Sequence, residues 1–259
     1  MRFLYWVLAV AALSAAVVGV NSLRPRLTPA ERGRRLAERL GCFGCHGPGG
    51  IHGAANPGRS DRTVPTFGDD LMMYAKTRDD VKDWIEDGVT EARRKSSTWR
   101  AQRERGTLRM PAFGKRLAPP EIADLVEFVL ATAGEPEPED SLAAAGLDRM
   151  EALGCSGCHG PGGRYGRPNP GSLKGYIPSW DGEDFPELVR GREEFSQWLE
   201  HGISNRFDRN PLARFFVRRA AVVMPAYEKH LEPGDLDLLW AYVRWLRSPA
   251  RSDSMTIGS

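Results

Sequence analysis

Gly41-Cys42-Phe43-Gly44-Cys45-His46-Gly47-Pro48-Gly49-Gly50 returns as Gly154-Cys155-Ser156-Gly157-Cys158-His159-Gly160-Pro161-Gly162-Gly163, and this doubled stretch decides the fold. The copies sit 113 positions apart. At the same offset Asn56-Pro57-Gly58 returns as Asn169-Pro170-Gly171, and Val64-Pro65-Thr66-Phe67 as Ile177-Pro178-Ser179-Trp180. After one inserted residue the offset becomes 114: Trp84 to Gly88 matches Trp198 to Gly202, and Met110-Pro111-Ala112-Phe113 matches Met224-Pro225-Ala226-Tyr227. Self-similarity on this scale means that one structural unit occurs twice.

The chain has 259 residues and a formal charge of +2, so a near-neutral balance implies no polyanionic partner. Its four cysteines all fall in the two Cys-x-x-Cys-His motifs, and two of its five histidines complete them. In that motif two thiols can form thioethers with the vinyl groups of one haem while the adjacent imidazole ligates iron. A lone Cys-x-x-Cys is often a disulfide or thiol-redox site, and two pairs can make a zinc site at much shorter separation. The adjoining histidine, its repetition and the apolar N-terminus favour covalent haem at Cys42, Cys45, Cys155 and Cys158, with His46 and His159 as iron ligands.

The repeat filters candidates for the sixth ligand. His52 faces Tyr165, His201 faces Asp87 and His230 faces Arg116, so none recurs. Met110 and Met224 do recur, 64 and 65 residues after their histidines, each ahead of an apolar helical pattern. A methionine beside apolar residues is often core filler. The retained Pro-Ala-aromatic context makes these two the expected axial ligands, whereas Met72, Met73 and Met150 read as core or surface. His/Met ligation raises the iron potential and fills both axial positions, which favours electron carriage over catalysis.

The local pattern is helical. Thr28-Pro29-Ala30-Glu31 predicts a capped helix running to about Leu40, and Ser141 marks the equivalent start in the second copy. Asp79 to Glu86 and Arg192 to Glu200 read as helices stopped by Gly88 and Gly202. Ile122, Leu125, Val126 and Val129, and Leu236, Leu239, Trp240, Val243 and Leu246, mark an amphipathic closing helix in each copy. No run of alternating strands is evident. Gly134-Glu-Pro-Glu-Pro-Glu-Asp140 reads as an extended, solvated spacer. Phe3 to Val20 is an uncharged run of 18 residues, either a membrane anchor or a cleaved signal peptide. The arginines that follow it run against the positive-inside rule, but haem attachment places the remainder outside the cytoplasm.

With these residues the chain resembles the class I cytochrome c family in tandem diheme form, over about Thr28 to Arg247. The resemblance implies an all-α fold: two tandem cytochrome c-like domains, each wrapped around one covalent haem, after an N-terminal hydrophobic helix. The expected boundaries are 1–23 for the anchor or signal, 24–134 and 141–247 for the domains, 135–140 for the linker and 248–259 for a tail. It further implies crossing terminal helices with Gly33 and Gly146 near Phe128 and Tyr242, a pocket lined by the Asn-Pro-Gly and Val/Ile-Pro segments, and Trp84 and Trp198 near it. The cofactors are then two haem c groups. The partners are a protein electron donor and acceptor on the periplasmic side of a cytoplasmic membrane, with no nucleic acid. A tethered shuttle and a respiratory or dehydrogenase subunit both fit. The alternative is an enzyme of thiosulfate dehydrogenase-like or peroxidase-like kind, with His201 and His230 as acid–base candidates. The basic segments Val89 to Arg109 and Ile203 to Val223 read as loops, either solvated or docking an acidic redox partner.

Overall fold

The computed structural model describes residues 2–68, 70–134 and 138–248, with some side chains of the first helix left out. The expected spacer at 135–140 and tail at 248–259 therefore lie largely outside the described residues. The chain begins with α1 (Arg2–Leu23). It continues with α2 (Pro29–Leu40), α3 (Phe43–His46), α4 (Leu71–Tyr74), α5 (Arg78–Asp87), α6 (Glu91–Lys95), α7 (Ser97–Arg105) and α8 (Pro119–Ala133). The second copy follows helix for helix with α9 (Ser141–Ala152), α10 (Ser156–His159), α11 (Phe185–Leu188), α12 (Arg192–His201), α13 (Asn205–Arg209), α14 (Pro211–Arg219) and α15 (Asp235–Leu246). Among the described residues the only β pairing is two isolated bridges, Ala55 with Thr63 and Pro168 with Tyr176.

By internal contacts the chain forms two compact units, which do not coincide with the two repeats. The larger comprises Leu27–Gly166, Pro178–Gly182 and Glu232–Ser259; the smaller comprises Met1–Arg26, Arg167–Ile177 and Glu183–Leu231. The larger unit thus holds both Cys-x-x-Cys-His motifs and both helix crossings, α2 with α8 and α9 with α15.

Each crossing depends on a missing side chain. A Cβ at Gly33 would stand 1.9 Å from the Asp124 carbonyl oxygen and 2.8 Å from Phe128 Cβ; at Gly146 it would stand 2.1 Å from the Leu238 oxygen and 2.8 Å from Tyr242 Cβ. The expected close approach therefore exists in both copies. Ion pairs clamp the crossings differently. Arg32 donates to both oxygens of Asp124 at 2.8 and 2.7 Å, whereas Arg149 donates to both oxygens of Asp235 at 2.8 Å. Leu36, Ala37, Phe67, Ile85, Leu125 and Phe128 form the core of the first copy. Met150, Leu239, Tyr242 and Leu246 are almost fully buried in the second.

Three expectations change. The helix of the second copy begins one residue early, because Asp140 rather than Ser141 accepts from the Ala143 amide as N-cap. The basic segments are not loops but helix pairs, α6 with α7 and α13 with α14. Capping explains why: Thr90, Ser96 and Asn210 each accept a backbone amide at a helix start. The N-terminal run forms the 22-residue helix α1. Among the described residues no helix is long and apolar enough to cross a membrane.

Candidate haem-attachment sites

In each copy a left-handed glycine, Gly41 or Gly154, ends the first helix, and the next amide turns back onto it. Cys42 N–H donates to the Ala37 carbonyl at 3.0 Å, and Cys155 N–H to the Met150 carbonyl at 3.1 Å. This closure throws the chain into the single turns α3 and α10, which carry the second cysteine and the histidine. The histidine ring is then fixed. His46 Nδ1 lies 2.8 Å from the Pro65 carbonyl oxygen, and His159 Nδ1 lies 3.2 Å from that of Pro178. A carbonyl only accepts, so Nδ1 carries the proton and Nε2 keeps its lone pair for a metal. Burial pushes both imidazoles down, His159 to about 4, which keeps them in the neutral, ligating form.

The first site is a cavity of ≈ 200 Å³ in the larger unit. Cys42, Cys45 and His46 line it together with Met110, and Val64, Phe67, Leu71, Ile85 and Val129 add apolar wall. Asn56, Pro65 and Trp84 also line it, as the resemblance implied. Trp84 is oriented by its Nε1–H, which donates to the Tyr74 carbonyl at 2.9 Å. An apolar cavity that brings paired thiols, an oriented imidazole and a thioether sulfur together fits covalent haem.

Two contacts place each methionine, and both repeat. The Asn56 side chain donates to the Leu108 carbonyl and accepts from the Leu108 amide, at 3.0 and 2.8 Å, two residues before Met110. Asn169 makes the same pair with Val222, at 2.8 and 2.9 Å, two residues before Met224. Gly88 and Gly202 are left-handed, and a Cβ on either would stand 2.4 Å from the methionine carbonyl oxygen. The Asn-Pro-Gly motif is thus a clamp on the methionine segment. Met224 belongs to the smaller unit and His159 to the larger.

Cys42 and Cys155 are poor thiol-redox groups. Burial pushes Cys42 up and Cys155 up to about 11, whereas a reactive cysteine needs a lowered value. Among the described residues no group of three or more His, Cys, Asp or Glu is arranged to hold a metal ion. The remaining candidates fall outside the sites. His52, His201 and His230 are exposed, Met72 and Met73 are exposed, and Met150 is fully buried.

Many of the basic residues have internal work. Arg93 stacks over Tyr74 and Trp84, Arg94 pairs with Asp87 at 2.7 Å, and Arg206 pairs with Glu194 at 2.6 Å. At the first cavity Arg59, absent from the expected set, pairs with Asp61 at 2.6 Å and lies over the Tyr74 ring.

Sequence reasoning also passed over the contacts that join the copies. Glu31, expected only as a capping residue, is 2% exposed. Its Oε2 accepts from the Thr28 amide at 2.8 Å, while Oε1 accepts from Gly166 and Ser179, both at 3.3 Å. Tyr165 packs on Phe128 with ring centroids 5.3 Å apart, and its hydroxyl meets Thr132 Oγ1 at 3.2 Å. Arg164 approaches Glu127 at 3.7 Å. The available signal was negative: Glu31, Arg164 and Tyr165 stand opposite Ala144, Ile51 and His52, where the duplication breaks down.

Residues 30–133 match the model of the Cytochrome c family. The match supports a c-type cytochrome, a haem protein of electron transfer, in agreement with the helical fold and the first cavity. No curated protein and no solved structure matched the chain.

Proposed function

We propose that the chain is a diheme c-type cytochrome that passes electrons between protein partners on the periplasmic side of a cytoplasmic membrane. It acts as a shuttle or as the cytochrome subunit of a larger redox complex. Haem c, when bound, supplies a one-electron iron couple. The chain's residues do the rest. Cys42 and Cys45, then Cys155 and Cys158, would hold the two groups, and His46 and Met110, then His159 and Met224, are the residues that would ligate iron. The Val/Ile-Pro carbonyls hold the histidine protons, and the two asparagines clamp the methionine segments.

The observation that carries the second haem is the recurrence of the whole local apparatus: the histidine–proline hydrogen bond, the asparagine clamp and the left-handed glycine at the methionine carbonyl. Residues drift in a disused copy, and such coordinated geometry would not persist without a group to hold. The apolar N-terminal run serves as an export signal that is removed.

A redox titration of purified protein with absorption spectra, paired with intact mass, tests the reading. The expected result is two added tetrapyrroles per chain, two reversible one-electron waves and a methionine–iron band proportional to both. One tetrapyrrole only, or carbon monoxide bound by one iron of the native protein, would contradict it; the latter would favour an oxidoreductase.

A further inference from the structure

The peptide group that receives each histidine proton is itself held at its other end by a carboxylate. In the first copy the Pro65–Thr66 peptide accepts from His46 Nδ1 at 2.8 Å through its oxygen, and its N–H donates to Asp70 Oδ2 at 3.1 Å. In the second copy the Pro178–Ser179 peptide accepts from His159 Nδ1 at 3.2 Å, and its N–H donates to Glu31 Oε1 at 3.3 Å. The two carboxylates have different origins. Asp70 comes from the same copy as its histidine. Glu31 comes from the other copy, and its own counterpart is Ala144. Asp184, which precedes α11 as Asp70 precedes α4, is 4% exposed and accepts from Lys174 at 2.7 Å and from the Tyr176 hydroxyl instead.

We propose that Asp70 and Glu31 are positioning residues that set the two iron potentials through these peptides, so that a side chain of the first copy tunes the haem of the second. The inference rests on the diheme reading. A carboxylate drawing on the N–H polarises the peptide and makes its carbonyl a stronger acceptor, because bonds in a hydrogen-bonded chain reinforce one another. The histidine Nδ1–H is then drawn further toward that oxygen, and the ring becomes a more basic ligand. A more basic ligand stabilises ferric iron and lowers the potential. Burial pushes the Glu31 carboxyl above its ordinary value, and the amide hydrogen bonds from Thr28, Gly166 and Ser179 oppose that rise. Glu31 therefore does two jobs at once: it caps α2, and it ties that helix to the peptide behind the second histidine.

The test compares wild type, Glu31→Gln and Asp70→Asn as holoproteins by redox titration, with the histidine Nδ1–H proton resonances as a second readout. Each substitution keeps an acceptor oxygen and removes the charge. Expected is that Glu31→Gln raises one potential and Asp70→Asn raises the other. Each should increase the reduced-to-oxidised ratio several-fold at fixed ambient potential, where tenfold corresponds to about 59 mV for one electron. The Nδ1–H resonance of the matching histidine should move with it. Both waves shifting equally, or the Nδ1–H resonances and potentials staying in place, would overturn the relay. Should Glu31→Gln not fold, Asp70→Asn decides the mechanism alone, because its carboxylate lies away from the contacts between copies. A wild-type mass with a single tetrapyrrole would fail the diheme reading and not the relay.

Discussion

Ile51 and His52 in the first copy correspond to Arg164 and Tyr165 in the second, and the two pairs live in different surroundings. Ile51 is 50% exposed and His52 is exposed; Arg164 and Tyr165 are 7% and 6% exposed. The backbone before them is the same, since Pro48–Gly50 and Pro161–Gly163 form equal 3₁₀ turns. The second pair is buried because it faces α8, where Phe128, Thr132 and Glu127 receive it. Its counterpart on α15, Tyr242, packs within its own copy, on Trp180, and donates to the Gly162 carbonyl at 2.8 Å. The duplicated chain keeps the residues around each Cys-x-x-Cys-His motif and diverges where one copy meets the other.

The harshest way to break the comparison is to delete attachment. Replacing both Cys42 and Cys45 by alanine, or both Cys155 and Cys158, is expected to remove one tetrapyrrole each from the intact mass. Equal losses would show two equivalent sites, and no loss from the second pair would show that only the first copy is loaded.

Tyr165→Ala separates the exposed pair from the buried one. It empties a site packed on Phe128, and the expected cost is about 3–5 kcal/mol in denaturant unfolding of the holoprotein. His52→Ala at the matching position should stay within about 0.5 kcal/mol. Similar costs for the two would mean that the contact with α8 contributes nothing.

Glu31→Ala leaves the Thr28, Gly166 and Ser179 amides without their carboxylate, at an expected cost of about 1–3 kcal/mol. Ala144→Glu at the matching position is expected to restore none of it, because the Thr28, Gly166 and Ser179 amides meet the carboxylate at position 31. Recovery in the double variant would sink that asymmetry.

The smallest effect is the pH dependence contributed by one ion pair of the first copy. The Arg59 guanidinium holds Asp61 down to about 2, from 3.8. The folded value is lower than the unfolded one, so this stabilisation is present above 3.8 and disappears as pH falls through about 2. With Asp61 partly open to solvent, it amounts to less than about 2 kcal/mol. Position 174, the counterpart of Asp61, is a lysine bonded to Asp184 at 2.7 Å. Asp61→Asn should therefore flatten the acid limb of the stability profile, measured between pH 2 and 5; an unchanged limb would show that the Arg59 pair contributes nothing to it.

Much of the fold was legible because it is local. The Thr28–Glu31 capping box, Gly88 and Gly202 as helix stops, and the apolar spacing of the closing helices all act within a few residues, and each helix appears where that chemistry puts it. The first site was legible for a different reason: Cys42, Cys45, His46 and Met110 recur as a set, and the cavity they line together is what a repeated ligand set requires. The helices at 91–105 and 205–219 were missed because arginine-rich segments carry a weak apolar period, and their caps lie between two short helices. Glu31 was half read. Its capping role is encoded three residues away, but its bonds to Gly166 and Ser179 span more than 130 positions.

Sequence alone determined that one helical unit occurs twice, which cysteines, histidines and methionines recur, and which glycines must stay bare. These follow from rules that act over a turn of helix or a motif length. Tertiary structure alone decided that Asn56 and Asn169 clamp the methionine segments, that Arg164 and Tyr165 are buried against α8, and that Glu31 reaches the peptide behind His159. Those contacts join residues far apart in the chain, where no local propensity operates and only packing settles which polar group finds which partner.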